Sequence, residues 1–304
     1  MFRGTFTALV TPFRGGVLDL DALVKLVATQ VDAGITGVVA VGTTGESPTL
    51  SHDERVSVIR KCVETAKGRC AVLAGTGSYS TRDAIEATKK AESLGVDGLL
   101  IVAPYYNKPS QEGLFQHFKS IAQVTSLPVI LYNIPGRCGV DIGVETVLRL
   151  ADSCRNIVSI KEASGSVDRV SELRSRLPNS FTVLSGDDAL TLPFMSVGAV
   201  GVVSVASNLL PAEIIALVAA YQRENVASAE ALHRRLYPLF KDLFIEPNPV
   251  PIKTALGWRG LISPEVRLPL CPMTPANQER LRKTLEAFER DQEPAGSLSA
   301  ARVA

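Results

Sequence analysis

The segment Ile157-Val-Ser-Ile-Lys-Glu-Ala163 places one lysine, Lys161, inside an otherwise apolar run. A buried ammonium is costly unless its chemistry is used. Read as a strand, the run puts Ser159, Lys161 and Ala163 on one face and Val158 and Ile160 on the other. Small neighbours leave room for a substrate beside the amine. Desolvation lowers a lysine pKa from about 10.4 towards neutrality and yields a free amine that attacks a ketone to form a Schiff base. The alternative is a strand-end lysine whose ammonium reaches out to solvent.

Other reactive types stand at the ends of other apolar runs: Gly42-Thr-Thr-Gly-Glu-Ser47, Pro104-Tyr-Tyr-Asn107, Tyr132-Asn-Ile-Pro-Gly-Arg137 and Ser185-Gly-Asp-Asp188. The amides of Gly42-Thr-Thr-Gly45 suit a nest for a carboxylate, although turn chemistry alone also explains the pattern. Arg137, after a Pro-Gly turn, offers a planar fork for a second carboxylate, or else a surface salt bridge. The Tyr132 hydroxyl is placed either to move protons during carbinolamine formation and dehydration or simply to be satisfied within a core.

Such groups converge only if the elements bring strand ends together. Apolar strand-like runs recur at 5–10, 37–41, 71–75, 98–103, 129–134, 157–162, 182–186 and 201–206. Between and after them lie helical patterns at 21–33, 52–66, 81–94, 111–124, 144–151, 168–177, 189–196 and 211–222. Strand then helix, eight times over, predicts an α/β fold: a (β/α)8 TIM barrel with its reactive residues at the C-terminal strand ends. A doubly wound sheet would need a nucleotide fingerprint after the first strand, and Thr11-Pro-Phe-Arg-Gly-Gly16 lacks one. The pattern predicts a catalytic barrel over 1–224 and a C-terminal helical domain over 225–291, with helices at 227–240 and 276–291 and a proline-rich hinge at 246–251. A tail of linker composition, expected to be disordered, occupies 292–304.

The chain has 304 residues, 46% hydrophobic and 21% charged, enough for a barrel-sized core. A net charge of +1 with no basic run argues against nucleic acid or an anionic membrane as the main partner. Five scattered cysteines, never in a C-x-x-C pair, argue against disulfides or zinc and for reduced thiols in a cytoplasm. No signal-peptide pattern or membrane-length apolar stretch is seen. His52, His117 and His233 lie far apart on polar helical stretches and are expected at the surface, not on a metal.

Gly42-Thr-Thr-Gly-Glu46, Tyr105-Tyr-Asn-Lys-Pro109, Tyr132-Asn-Ile-Pro-Gly-Arg137, Ile160-Lys-Glu-Ala163 and Leu184-Ser-Gly-Asp-Asp188, followed by Glu246-Pro-Asn-Pro249, together resemble the dihydrodipicolinate synthase family. The likeness runs from about residue 4 to about residue 285. It implies a lyase with class I aldolase chemistry: Lys161 condenses with pyruvate, and the enamine attacks aspartate 4-semialdehyde on the diaminopimelate route to lysine. No metal and no organic cofactor is implied, because the protonated imine is itself the electron sink. The resemblance assigns proton relay to Tyr132, Thr44 and Tyr106, the last reaching in from a neighbouring subunit, and so implies a homo-oligomer, commonly a homotetramer built as a dimer of dimers. It rests the pyruvate carboxylate on Thr43 and Thr44, the semialdehyde carboxylate on Arg137, and lines the pocket with Gly186 and Val203.

Some family members are inhibited by lysine at a subunit interface, a site that falls here on Ser47, His52, Arg55, Tyr79, Asp83 and Tyr105. Arg55 stands where a histidine is usual and Tyr79 where an asparagine is usual, so weak feedback is expected. Related pyruvate-dependent enzymes, such as N-acetylneuraminate lyase or 2-keto-acid aldolases, share the lysine and tyrosine. Arg137 and the paired threonines favour a short acidic aldehyde over a neutral sugar chain.

Overall fold

The structure, a computed structural model, describes residues 2–290; the tail expected over 292–304 lies outside the described residues. Eight short strands, rich in valine, leucine and isoleucine, run parallel: β1 (Gly4–Ala8), β2 (Gly37–Ala40), β3 (Ala71–Gly75), β4 (Gly98–Val102), β5 (Val129–Asn133), β6 (Ile157–Glu162), β7 (Thr182–Ser185) and β8 (Gly201–Ser204). Each pairs with its sequence neighbour, and β1 pairs with both β2 and β8, which closes the barrel. Nearly every strand residue is buried, as strands covered on both faces must be.

A helix follows each strand, the first seven returning the chain to the next strand: α1 (Leu20–Asp32), α2 (His52–Ala66), α3 (Thr81–Ser93), α4 (Gln111–Ala122), α5 (Val144–Ser153), α6 (Val167–Arg176), α7 (Thr191–Ser196) and, after the last strand, α8 (Pro211–Gln222). Side chains fix several helix starts just beyond the strand ends. Asp19, Ser51, Ser80, Ser110 and Ser166 each accept an amide of the first turn, and Ser51 with Glu54 forms a full capping box. These caps hold short, defined loops at the barrel mouth. A small hairpin, Phe13–Arg14 with Val17–Leu18, follows β1, and a single helical turn, Pro135–Cys138, follows β5.

Three helices complete the described chain: α9 (Val226–Asp242), α10 (Val250–Trp258) and α11 (Pro275–Arg290). The proline-rich stretch expected as a hinge over 246–251 is a hinge only in part. Pro251 lies in the first turn of α10, where a missing amide donor costs nothing and the ring's fixed φ suits a helix. Among the described residues no helix is long and apolar enough to cross a membrane.

His117 is not at the surface. It is buried beside Leu114, Phe118 and Ile121 on the inner face of α4, and its Nδ1 lies 2.9 Å from the Thr81 hydroxyl. Burial pushes its pKa down to about 4, which keeps the ring neutral. His52 is exposed and His233 half-buried.

Candidate active site

In β6, Lys161 is directly opposite Tyr132 of β5 in the parallel register. Its Nζ lies 4.1 Å from the Tyr132 ring centroid, and the residue is only 5% exposed. Burial brings the amine's pKa down to about 7, with Asp188 pulling it up and Arg137 pushing it further down. The snorkelling alternative therefore does not describe this lysine. Gly186 passes tightly beside it: a Cβ there would sit 2.7 Å from the Ala163 Cβ and 3.0 Å from the Lys161 Cε. Only a hydrogen fits against the lysine stem. Asp188 is buried, with Oδ2 accepting from the amides of Val205 and Ala206 at 2.9 and 3.0 Å, and burial raises its pKa. Val203 is buried in β8.

A cavity of about 490 Å3 opens at the strand ends, lined by Thr43, Thr76, Tyr132, Ile134, Arg137 and Cys138 at one side. Burial pushes the Tyr132 phenol up to about 12, so it is protonated at neutral pH and works as a hydroxyl, not as a phenolate. Thr43 is the threonine whose hydroxyl faces this phenol and eases its ionisation. Thr44, expected as the relay hydroxyl, is instead buried against the C-terminal segment. Its Oγ1 accepts from Asn248 Nδ2 at 3.0 Å. Like Lys161, Gly186 and Val203, it is not among the residues lining the cavity, and what separates it from Thr43 is this bond and the contact of Thr43 with Tyr132. The difference arises because Gly42-to-Glu46 is a turn, in which neighbouring side chains diverge without strand or helix periodicity. Its internal bonds use the amides of Gly45, Glu46 and Ser47, while those of Thr43 and Thr44 meet no protein acceptor among the described residues. That leaves two amides for a carboxylate, as the nest reading requires.

Arg137 lies exposed at the cavity's edge on the turn Pro135–Cys138, and among the described residues it forms no ion pair. Its guanidinium is available to an anionic ligand. Cys138 beside it is buried, and its thiol is pushed up to about 11 by desolvation, so it is a poor nucleophile.

Tyr106 is not brought to Lys161 within this chain. It is 90% exposed, with φ of 71°, a left-handed conformation that a non-glycine residue rarely adopts. The cavity continues outward past Ser47, Arg55, Tyr79, Asp83 and Tyr105. Arg55 is fixed there, donating to the carbonyls of Leu50 and Ser47 at 3.3 and 2.8 Å, and Tyr79 stands edge-on to Tyr105 with centroids 5.3 Å apart. His52, grouped with these from the sequence, is exposed in the first turn of α2 and does not line the cavity.

Sequence reasoning passed over Asn248 and a buried ion pair between Glu46 and Lys253 at 2.6 Å. The signal was present: Lys253 is a lone lysine in the apolar stretch Val250-Pro-Ile-Lys-Thr-Ala-Leu256, the same kind of anomaly that singles out Lys161.

Residues 1–288 match the profile of the Dihydrodipicolinate synthetase family. A 4-hydroxy-tetrahydrodipicolinate synthase of Endomicrobium trichonymphae is 49% identical over 288 residues, covering 95% of this chain and 99% of that protein. The structure of the 4-hydroxy-tetrahydrodipicolinate synthase from Methylacidiphilum fumariolicum SolV superposes with a TM-score of 0.95 at 57% identity, covering 95% of this chain and 97% of the other. A monomeric dihydrodipicolinate synthase variant gives a TM-score of 0.93 at 42% identity, with 95% and 97% covered.

Proposed function

The chain belongs to the dihydrodipicolinate synthetase family, and from that premise we infer that it is a 4-hydroxy-tetrahydrodipicolinate synthase, condensing pyruvate with L-aspartate 4-semialdehyde. The observation that carries this reading is the pairing of a buried amine titrating near 7 with a protonated phenol over which it sits. Lys161 Nζ attacks the keto carbon of pyruvate and water leaves, giving the imine. Loss of a methyl proton gives the enamine, whose carbon bonds to the aldehyde carbon of the semialdehyde. The semialdehyde's own amine then displaces Lys161 and closes the ring.

Tyr132 and Thr43 carry protons to and from these steps in our reading, with Thr43 taking the role first given to Thr44. The pyruvate carboxylate rests on the amides of Thr43 and Thr44, and Gly186 and Val203 border the adduct. Arg137, exposed and without a counter-charge among the described residues, holds the semialdehyde carboxylate. Tyr106, projecting from its own subunit, completes the relay in a neighbour's site, and a homotetramer built from two such dimers follows as the working assembly. Five unpaired cysteines, four of them buried, suit a reducing cytoplasm.

Borohydride reduction in the presence of pyruvate, followed by peptide mass spectrometry, tests the reading. The expected adduct is on Lys161 alone, and Lys161→Ala abolishes it; labelling elsewhere, or none, overturns the assignment. Arg137→Ala is expected to raise the KM for the semialdehyde at least about tenfold while leaving that for pyruvate little changed.

A further inference from the structure

We propose that the segment entering α10 belongs to the catalytic apparatus: Asn248 and Lys253 are positioning residues that hold the Gly42-to-Glu46 turn in the shape that receives the pyruvate carboxylate. The proposal rests on the functional reading above, in which that turn supplies Thr43 and two amides.

The centre and the far end of the turn are tied to distant parts of the chain. At its far end Glu46 adopts a left-handed conformation, φ 54°, and is 2% exposed. Its Oε1 accepts from Lys253 Nζ at 2.6 Å and its Oε2 from the Arg267 amide at 3.0 Å. Lys253 donates a second bond to the Thr11 carbonyl at 2.9 Å and rests 4.3 Å from the Phe13 ring centroid. The Thr11 hydroxyl donates in turn to the Gly45 carbonyl at 2.7 Å. At the centre of the turn, Asn248 Nδ2 donates to the Thr44 hydroxyl oxygen. Thr44 is thereby pulled away from the cavity, and Thr43, its neighbour, is left facing Tyr132.

Lys253 is fully buried and cannot meet a substrate, so it is no second nucleophile. Nor is net stability a sufficient account of the pair, because an enclosed ion pair is often matched by apolar residues of the same volume. What such a pair does supply is direction. A non-glycine residue in the left-handed region persists only where its surroundings over-determine it. Here both carboxylate oxygens of Glu46 are held from beyond residue 250, by Lys253 Nζ and the Arg267 amide, while its own amide and carbonyl bond within the loop.

The test uses the full-length enzyme with two variants, Asn248→Ala and the neutral double variant Glu46→Gln/Lys253→Met. For each, steady-state kinetics in both substrates, borohydride trapping titrated with pyruvate, and thermal unfolding are measured. Loss of turn geometry is expected to raise the pyruvate KM and the trapping midpoint about tenfold or more and to lower kcat, with the semialdehyde KM within about twofold of wild type. The double variant is expected to remain folded at the assay temperature, so its defect is not unfolding. Should it fail to fold, Asn248→Ala decides alone. Wild-type pyruvate KM in a folded variant overturns the proposal, as does a rise in both KM values in step with a lowered Tm. Absence of pyruvate trapping in the wild type overturns the functional reading first, and the positioning role with it.

Discussion

At pH 7 an ordinary lysine is neutral in roughly one molecule in 2,500, whereas an amine titrating near 7 is neutral in about half. Lys161 is of the second kind because burial outweighs the pull of Asp188. The nucleophile is the deprotonated form, so kcat/KM for pyruvate should climb as pH rises through about 7 and level off above it. A pH-rate profile checks this, and an acid limb near 10 would contradict it. Arg137 pushes the same pKa down, so Arg137→Ala should move that limb to higher pH, besides its effect on the semialdehyde. Lys161 was legible in the sequence because a charge in an apolar strand is an anomaly that strand alternation makes readable. The choice between Thr43 and Thr44 was not. Two adjacent hydroxyls in an irregular turn carry no periodicity, and only distant contacts separate them: Thr44 with Asn248, about two hundred residues away, and Thr43 with Tyr132.

At the scale of elements, the loop carrying Arg137 is fastened by a buried polar cluster between β5, β6 and α6. Glu162, fully buried at the end of β6, accepts from Arg169 Nε at 2.7 Å, from Asn133 Nδ2 at 3.0 Å and from the Ser164 amide at 2.8 Å. Asn133 also binds the Asp141 carboxylate and the Ile142 amide, and Arg169 reaches the Ile142 carbonyl. Both ends of the 134–142 segment are thus held. Arg169→Met should leave the Glu162 charge buried without its partner, costing about 3–5 kcal/mol in urea unfolding. A loss under about 1 kcal/mol would mean the carboxylate is compensated otherwise. The eight strands were legible because parallel strands covered on both faces read as continuous apolar runs. Helix α10 was hidden by its prolines, and the burial of His117 by its polar neighbours. Yet 114, 117, 118 and 121 share one face at helical spacing, so that burial was within reach of the pattern.

On the scale of the whole molecule, the proposed relay divides between subunits: Tyr106 projects into solvent, while Tyr132 and Thr43 line the cavity. The same cavity extends to Arg55, whose guanidinium is pinned to carbonyls and would repel the ammonium groups of free lysine, and to Tyr79, which takes up space there. Submillimolar lysine should therefore leave the initial rate unchanged in a steady-state assay, and half-inhibition in that range would refute the reading of this surface. A sharper test concerns which subunit owns which residue. If Tyr106 serves the neighbour's lysine, a dimer with Tyr106→Phe in one subunit and Lys161→Ala in the other has one site lacking both groups and one site intact. Each variant alone should be nearly inactive, whereas dissociating and reassociating the two together should recover a substantial fraction of activity, approaching half per mixed dimer. Were Tyr106 to act within its own chain, every site of the mixture would lack one group. Recovery on mixing, set against the unmixed variants, thus separates a shared site from a self-contained one without reference to how many dimers assemble.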